Sequence, residues 1–411
     1  MSVSYPRDWH ETTIGDVFDR ISTSIDVDPK SIYEEIGIRS HGKGIFAKKP
    51  VPGVSLGEKR VFAVEPECLI LNIVFAWEQA VAKTTSKEIG KVVSHRFPMY
   101  RPKLGRIDVD YALYFFKSKW GKNLLEIASP GGAGRNKTLN QSDFAELPMV
   151  LPPLAQQRRI VAVLNAWEHA VDQTERLIAA KRQRKAGLFQ QLFSNLPKRP
   201  LLEAADVWFS GVDKKSRDDE APVSLCNYVD VFHNARITAQ IAFMQATASK
   251  RQIADNTLCK NDVVFTKDSE TADEIAEPAL VAEDIPHLVC GYHLAVARPR
   301  DGVGHGPFIA QAMRHHAMRC QFSRLANGVV RFGLTLDAME QAEIFLPPLP
   351  IQHRIAAVLD AEDVAIEGLG KQAEALRTQN RGLMQKLLGG EWALDSRFDR
   401  VPPLPSIPAG A

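Results

Sequence analysis

The sequence predicts a mixed α/β protein in which two globular domains are joined by two long helices that pair as an antiparallel coiled coil. Two observations predict it. The first is an internal repeat. Leu151-Pro152-Pro153-Leu154, followed by Gln157, Arg159, Ile160, Ala162, Val163 and Leu164, returns as Leu346-Pro347-Pro348-Leu349, followed by Gln352, Arg354, Ile355, Ala357, Val358 and Leu359. The match resumes at Leu188, Gln190 and Leu192 against Leu383, Gln385 and Leu387, at an offset of 195 residues. A period that long marks a duplicated domain with its helix, not a solenoid array. The second observation is a heptad-like stripe after each proline pair, with spacings alternating between three and four over roughly four to five heptads, the pattern of a coiled-coil seam.

Taken in order, residues 1–150 read as the first domain, with strands at 67–75 and 91–100 and turns at Pro52-Gly53 and at 131–134. Pro152 and Pro153 fix the start of the first helix, because proline fits the first turn and cannot extend a helix backwards. The helical segment spans 151–196, and its seam runs through Ile160, Val163, Trp167, Val171, Thr174, Ile178, Lys181, Lys185, Leu188 and Leu192. From Gln156 to Phe193 such a helix is roughly 57 Å long. Pro197-Lys198-Arg199-Pro200 reads as a hinge into a second domain, 197–345, with strands at 223–231, 262–266 and 288–298 and a turn-rich loop at 299–307. The second helical segment, 346–390, has its seam at Ile355, Val358, Glu362, Ile366, Leu369, Ala373, Leu376, Asn380, Leu383 and Leu387. Lys181, Lys185 and Asn380 place polar groups on or beside the seam, which costs stability and fixes register. The apolar positions Ile160, Val163, Trp167, Val171, Ile178, Ile355, Val358, Ile366, Leu369 and Leu376 are the expected interface; the alternative is two helices packed separately on their own domains. Residues 391–411 read as a C-terminal tail, of which 401–411, with four prolines, is an extended end.

Hydrophobic residues at 45% and charged residues at 24% argue against disorder. No apolar run reaches bilayer length and the first ten residues carry no apolar signal core, so a cytoplasmic protein is expected. Cys68, Cys226, Cys259, Cys290 and Cys320 are scattered, with no CxxC pair, which argues against a disulfide framework and a zinc site and favours a reducing compartment. The net charge of only +2 means that nucleic-acid binding must come from local clusters.

No complete active site is legible, and no cofactor or metal is expected. Gly37 to Gly44 has the glycine spacing and lysine of a phosphate-binding loop, but Gly44 stands where a Ser or Thr would ligate magnesium. A basic, glycine-rich loop that approaches a phosphate backbone fits better. Pro130 to Gly134 resembles part of a cofactor loop without a strand-turn-helix around it; Arg135, Asn136 and Lys137 follow directly and make it a candidate DNA-contacting loop, with an ordinary surface turn as the alternative. Asp268, Ser269 and Glu270 suggest a carboxylate cluster, though the end of a strand explains them better. Polar side chains suited to base edges and phosphates gather in sets: Arg39, His41, Lys43, Ser94, His95 and Arg96 in the first domain, and Lys214, Lys215, Arg217, Asn227, Tyr228, Asn234, Arg236, Lys267, Tyr292 and His293 in the second.

The paired Leu-Pro-Pro-Leu helices with Gln-x-Arg-Ile starts, together with the runs 210–216, 225–231 and 264–271, resemble the specificity subunits of type I restriction-modification systems over essentially the whole chain except the tail. The Gly37 to Phe46 run departs from that pattern. The resemblance implies a non-catalytic reader of double-stranded DNA: two target-recognition domains each read half of a split site, paired helices hold the halves apart, and modification subunits, two of them, dock along the helices. Methyl transfer and ATP-driven cleavage would belong to the modification and restriction subunits. Two other classes stand against it, a coiled-coil scaffold with no DNA role and a self-contained methyltransferase-nuclease. The latter lacks an Asn-Pro-Pro motif, since Leu precedes both proline pairs.

Overall fold

Each proline pair opens a helix of 40 residues, Leu154–Phe193 and Leu349–Leu388, and the carbonyls of Pro153 and Pro348 accept the first helical N–H groups. The computed structural model describes residues 5–57, 59–131, 137–395 and 398. The chain forms two units, Met1–Glu175 with Lys371–Ala411, and Arg176–Gly370. Each unit therefore holds part of both long helices.

The repeated glutamines explain why the repeat begins where it does. Gln157 is fully buried; its Oε1 accepts from the Asp108 backbone N–H at 2.9 Å, and its Nε2 donates to the carbonyls of Pro152 at 2.9 Å and Arg106 at 3.4 Å. Gln352, also fully buried, accepts from the His305 N–H at 3.0 Å and donates to Pro347 O at 2.9 Å and Val303 O at 2.8 Å. In both units the clamped loop leads into a helix, Val109–Lys117 or Gly306–Met313. The buried carbonyls of Pro152 and Pro347 at these bends would otherwise lack partners.

A second joint is duplicated beside the first. His10–Thr13 pairs antiparallel with Pro148–Leu151, and Lys198–Pro200 with Glu343–Phe345. Each first strand runs into a one-turn helix, Ile14–Val17 or Leu201–Ala204, and on into a longer sheet. Lys198–Pro200 of the expected hinge is thus a β-strand, since a two-stranded edge tolerates proline.

In the first unit the main sheet has the order Val81–Lys83, Leu69–Leu71, Met99–Pro102, Phe18–Ile21. The expected strands at 67–75 and 91–100 are shorter than read: the first ends at Leu71, and the second is split into Val92–Ser94 and Met99–Pro102. In the second unit a five-stranded sheet runs Ala205–Phe209, Leu294–Pro299, Val263–Thr266, Pro278–Val281, Arg236–Ile237. Here the strand read at 223–231 stops at Cys226, because Asn227 and Asp230 form a reciprocal capping box that starts the helix Tyr228–His233.

The long helices complete the cores. In the first unit Ile160, Val161 and Leu164 pack in one cluster with Leu387 and Leu388 from the end of the second helix. In the second unit Ile355, Ala356 and Leu359 share a cluster with Phe193 from the end of the first. Within each unit the start of one helix thus lies beside the end of the other, which makes the pairing antiparallel. The seam lysines are ionic: Lys181, with Arg184, reaches Glu362, each at 3.4 Å, and Lys185 reaches Asp363. Val358 departs from the expected seam. It is 43% exposed, and Leu359, fully buried, turns inward instead. Near its start the helix rests on its own globular region, which shifts the buried face off a strict heptad.

Replacing Gln157 or Gln352 with leucine leaves buried backbone groups unpaired, and each substitution should lower stability by about 2 kcal/mol. Denaturant unfolding of the two variants checks this; a loss within error of zero would show that the clamps are dispensable.

Candidate nucleic-acid interface

In the first unit one segment, 72–79, gathers residues that lie far apart in sequence. The Ile73 N–H donates to Arg96 O at 3.0 Å, while the N–H groups of His41 and Gly42 donate to Glu78 O at 2.7 Å and Gln79 O at 2.9 Å. The Lys137 ammonium sits 5.3 Å from the Trp77 ring centre. The sets 39–43, 94–96 and Lys137 are therefore all anchored to this segment. Arg135 and Asn136, with Gly132 to Gly134, lie outside the described residues.

Gly37 to Gly44 belongs to a hairpin, not a phosphate loop opening a helix: Ile36–Ile38 pairs with Ile45–Ala47, and His41, Gly42 and Gly44 take positive φ in the turn. Arg39 lies over the Phe46 ring, and its guanidinium donates to Ile45 O at 3.2 Å. His41 and Lys43 are exposed. Beside this lies a cleft of about 650 Å³ that Ser94, His95 and Arg96 share with Lys48, Lys59 and Arg60. Its acidic wall residue, Glu35, is partnered by Lys48 at 3.5 Å. The balance of charge favours a polyanion. Lys59 and Arg60 were missed in the sequence, where an adjacent basic pair was the available signal.

In the second unit Tyr228, Tyr292 and His293 line a cleft of about 750 Å³ with Asp268, Glu270, Glu274 and Arg331. Tyr228 stacks on Phe232 with ring centres 5.5 Å apart. Asp268 is held by His293 Nδ1 at 2.9 Å and by Lys267 Nζ at 2.8 Å, so the Lys267 charge is spent within the protein. Lys214, Lys215 and Arg217 are exposed on a loop that leaves from Ser210, whose hydroxyl donates to Cys290 O, two residues before Tyr292.

Besides Lys267, three expected DNA contacts are engaged in holding the fold. Asn227 is buried as a helix cap, and its Nδ2 donates to Leu225 O. Asn234 donates to Asp230 O at 2.8 Å. Arg236 pairs with Asp360 on the second long helix at 2.8 Å. Asp268 and Ser269 form a short strand with Phe332–Gly333. Cys226 and Cys290 are buried, and burial raises both thiols well above their ordinary value. Among the described residues no group of three His, Cys, Asp or Glu side chains is placed to hold a metal ion. No described helix is long and apolar enough to cross a membrane.

Residues 6–181 and 232–377 match the family model of the type I restriction modification DNA specificity domain, and the chain belongs to this family. It is a DNA sequence-recognition subunit of the type I restriction-modification class, which is non-catalytic. Specificity subunits of these systems bind DNA and assemble with methylase and restriction subunits. A specificity subunit of the type I restriction enzyme MjaX from Methanocaldococcus jannaschii is 22% identical over 306 residues, 71% of this chain and 70% of that one. The fold is similar to that of the HsdS subunit from Thermoanaerobacter tengcongensis, with a TM-score of 0.51, 19% identity, and coverage of 94% of this chain and 98% of that one. It is also similar to the type I S subunit from M. genitalium, with a TM-score of 0.57, 13% identity, and coverage of 94% and 98%.

If the first cleft contacts phosphates, exchanging Lys59 and Arg60 together for alanine should weaken duplex binding on every sequence alike and flatten the plot of log affinity against log salt by about two. Titrations at several salt concentrations measure that slope; an unchanged slope would remove the cleft from the interface.

Proposed function

We propose that the chain reads a split double-stranded DNA site, one half through each globular region. The first recognition domain lies within residues 1–150 and the second within 197–345; 151–196 and 346–390 act as spacer helices, and 391–411 is a tail. One observation carries this reading: the family match falls in two separate stretches, 6–181 and 232–377, each covering most of a globular region and most of the helix that follows it. Arg39, His41, Lys43, Ser94, His95, Arg96 and Lys137 are the proposed contacts in the first domain, and Lys214, Lys215, Arg217, Tyr228, Tyr292 and His293 in the second. Side chains of these types can position phosphates and read base edges. Tethering the readers makes the second encounter intramolecular, so two short sites act as one long one.

Two modification subunits would dock along the duplicated helices, with restriction subunits joining through the complex, in the cytoplasm. Methyl-donor chemistry would then belong to the modification subunits, and calorimetry on the folded chain alone should detect no micromolar binding of S-adenosylmethionine. Stoichiometric binding would contradict that division of labour.

Replacing residues 1–150 with the matching region of a related subunit should change one half of the methylated motif. Sequencing methylated DNA from cells carrying the chimera decides it, and two altered halves would rule out independent readers. The helices should also act as a ruler. One heptad inserted near Lys181, with a matching heptad near Leu376, adds roughly 10 Å and preserves the seam, which corresponds to about three base pairs of duplex. The same sequencing should show the halves moving apart by that amount with their bases unchanged; an active variant with an unaltered spacer would show that the helices do not set the distance.

A further inference from the structure

The cleft of the second unit carries three carboxylates on a protein whose partner is a polyanion. Two are already engaged: Asp268 by His293 and Lys267, and Glu274 by the Ser269 hydroxyl at 3.2 Å. Glu270 is exposed and has no partner among the described residues. The register of the short strand pair shows what faces it. Asp268 lies opposite Gly333 and Ser269 opposite Phe332, so the next positions outward are Glu270 and Arg331.

Opposite charges at facing positions just beyond a strand pair can attract one another across it. Here neither is paired; Arg331 is also exposed and without a partner among the described residues. The turn that carries it is fixed at its base by Asn327 and Gly333, which exchange two backbone hydrogen bonds of 2.9 Å. Val329 and Val330 at its tip are 92% and 83% exposed, apolar surface suited to the floor of a groove. A donor fork on a turn fixed at its base, and an acceptor just past the end of the facing strand, therefore line the same cleft.

Resting on the reading above, we infer that this cleft reads a G·C base pair in the major groove, with Arg331 donating to guanine O6 and N7 and Glu270 accepting from the cytosine amino group. The juxtaposition decides among ligands. A phosphate would be repelled by Glu270, and a cationic peptide by Arg331. A G·C pair presents two acceptors and an amino donor along one edge, which matches a guanidinium beside a carboxylate. Tyr228 and Tyr292 line the same cleft and close its aromatic walls around that edge.

The test is selection from a library of randomised duplexes by the assembled modification complex, using the native chain and the variants Arg331→Lys and Glu270→Gln. Both residues are exposed, so the variants should fold as the native chain does, which melting curves check. The native complex should select a G·C pair in the half assigned to the second domain by chimera. Arg331→Lys keeps the charge but loses the fork, and should reduce preference for that pair about tenfold or more while other positions hold. Glu270→Gln should relax the same position and no other. Uniform weakening on all sequences with a shallower salt dependence would make Arg331 a phosphate contact and overturn the inference. Unchanged base selection with impaired assembly would make the cleft a protein-docking site, which also overturns it. A split motif with no G·C pair in that half sinks this inference alone, whereas no split motif at all takes down the two-reader function with it.

Discussion

A buried glutamine amide at the start of each long helix is the constraint on which the rest of the structure depends. Gln157 and Gln352 each satisfy three backbone groups: one N–H on the loop before a short helix, and two carbonyls that turn away from regular structure. Their geometry fixes where a long helix leaves its globular region and in which direction. The prolines next to them start the helix, and the amides join it to the sheet side of the fold. A hydrophobic residue of the same size could fill the space and could not hold the bend.

The paired helices are specified by charge as well as by apolar area. Glu362 is nearly buried between Lys181 and Arg184, and Lys185 meets Asp363. Such pairs gain little over well-packed leucines, because desolvation offsets most of their attraction. They do penalise a one-turn slip, which would bring lysine against an apolar face. Asn380 adds a buried oxygen with no hydrogen-bond partner, a further cost that uniform leucine would avoid.

Much of the architecture was legible because duplication writes it twice: the proline pairs, the glutamines and the seam each appear at two places at one offset. Less was legible where local chemistry overrides pattern. Residues 229–231 read as strand from their valines, yet the Asn227–Asp230 cap turns them into helix. Val358 fits a heptad and faces solvent, since near its start the helix packs on a globular surface as well as on a partner. The candidate site was legible in composition and not in geometry. Arg39, His95 and Lys137 were found as basic or planar residues, but their convergence on 72–79 depends on backbone hydrogen bonds that no motif announces. Asn227 and Arg236 have the right chemistry for DNA and are taken up by the fold.

The first unit draws Leu387 and Leu388 into the core built by residues 14–164, whereas the second is contiguous from Arg176 to Gly370. Synthesis on a ribosome runs from the first residue to the last. The unit whose sheet emerges earliest is therefore completed last, after the whole of the other has been made, and in the interval it exposes an apolar surface for which the finishing helix is still being translated. A specificity subunit organised this way has a period in its own production when one unit is finished and the other is not, and protection of that surface during translation becomes part of how much working protein a cell obtains.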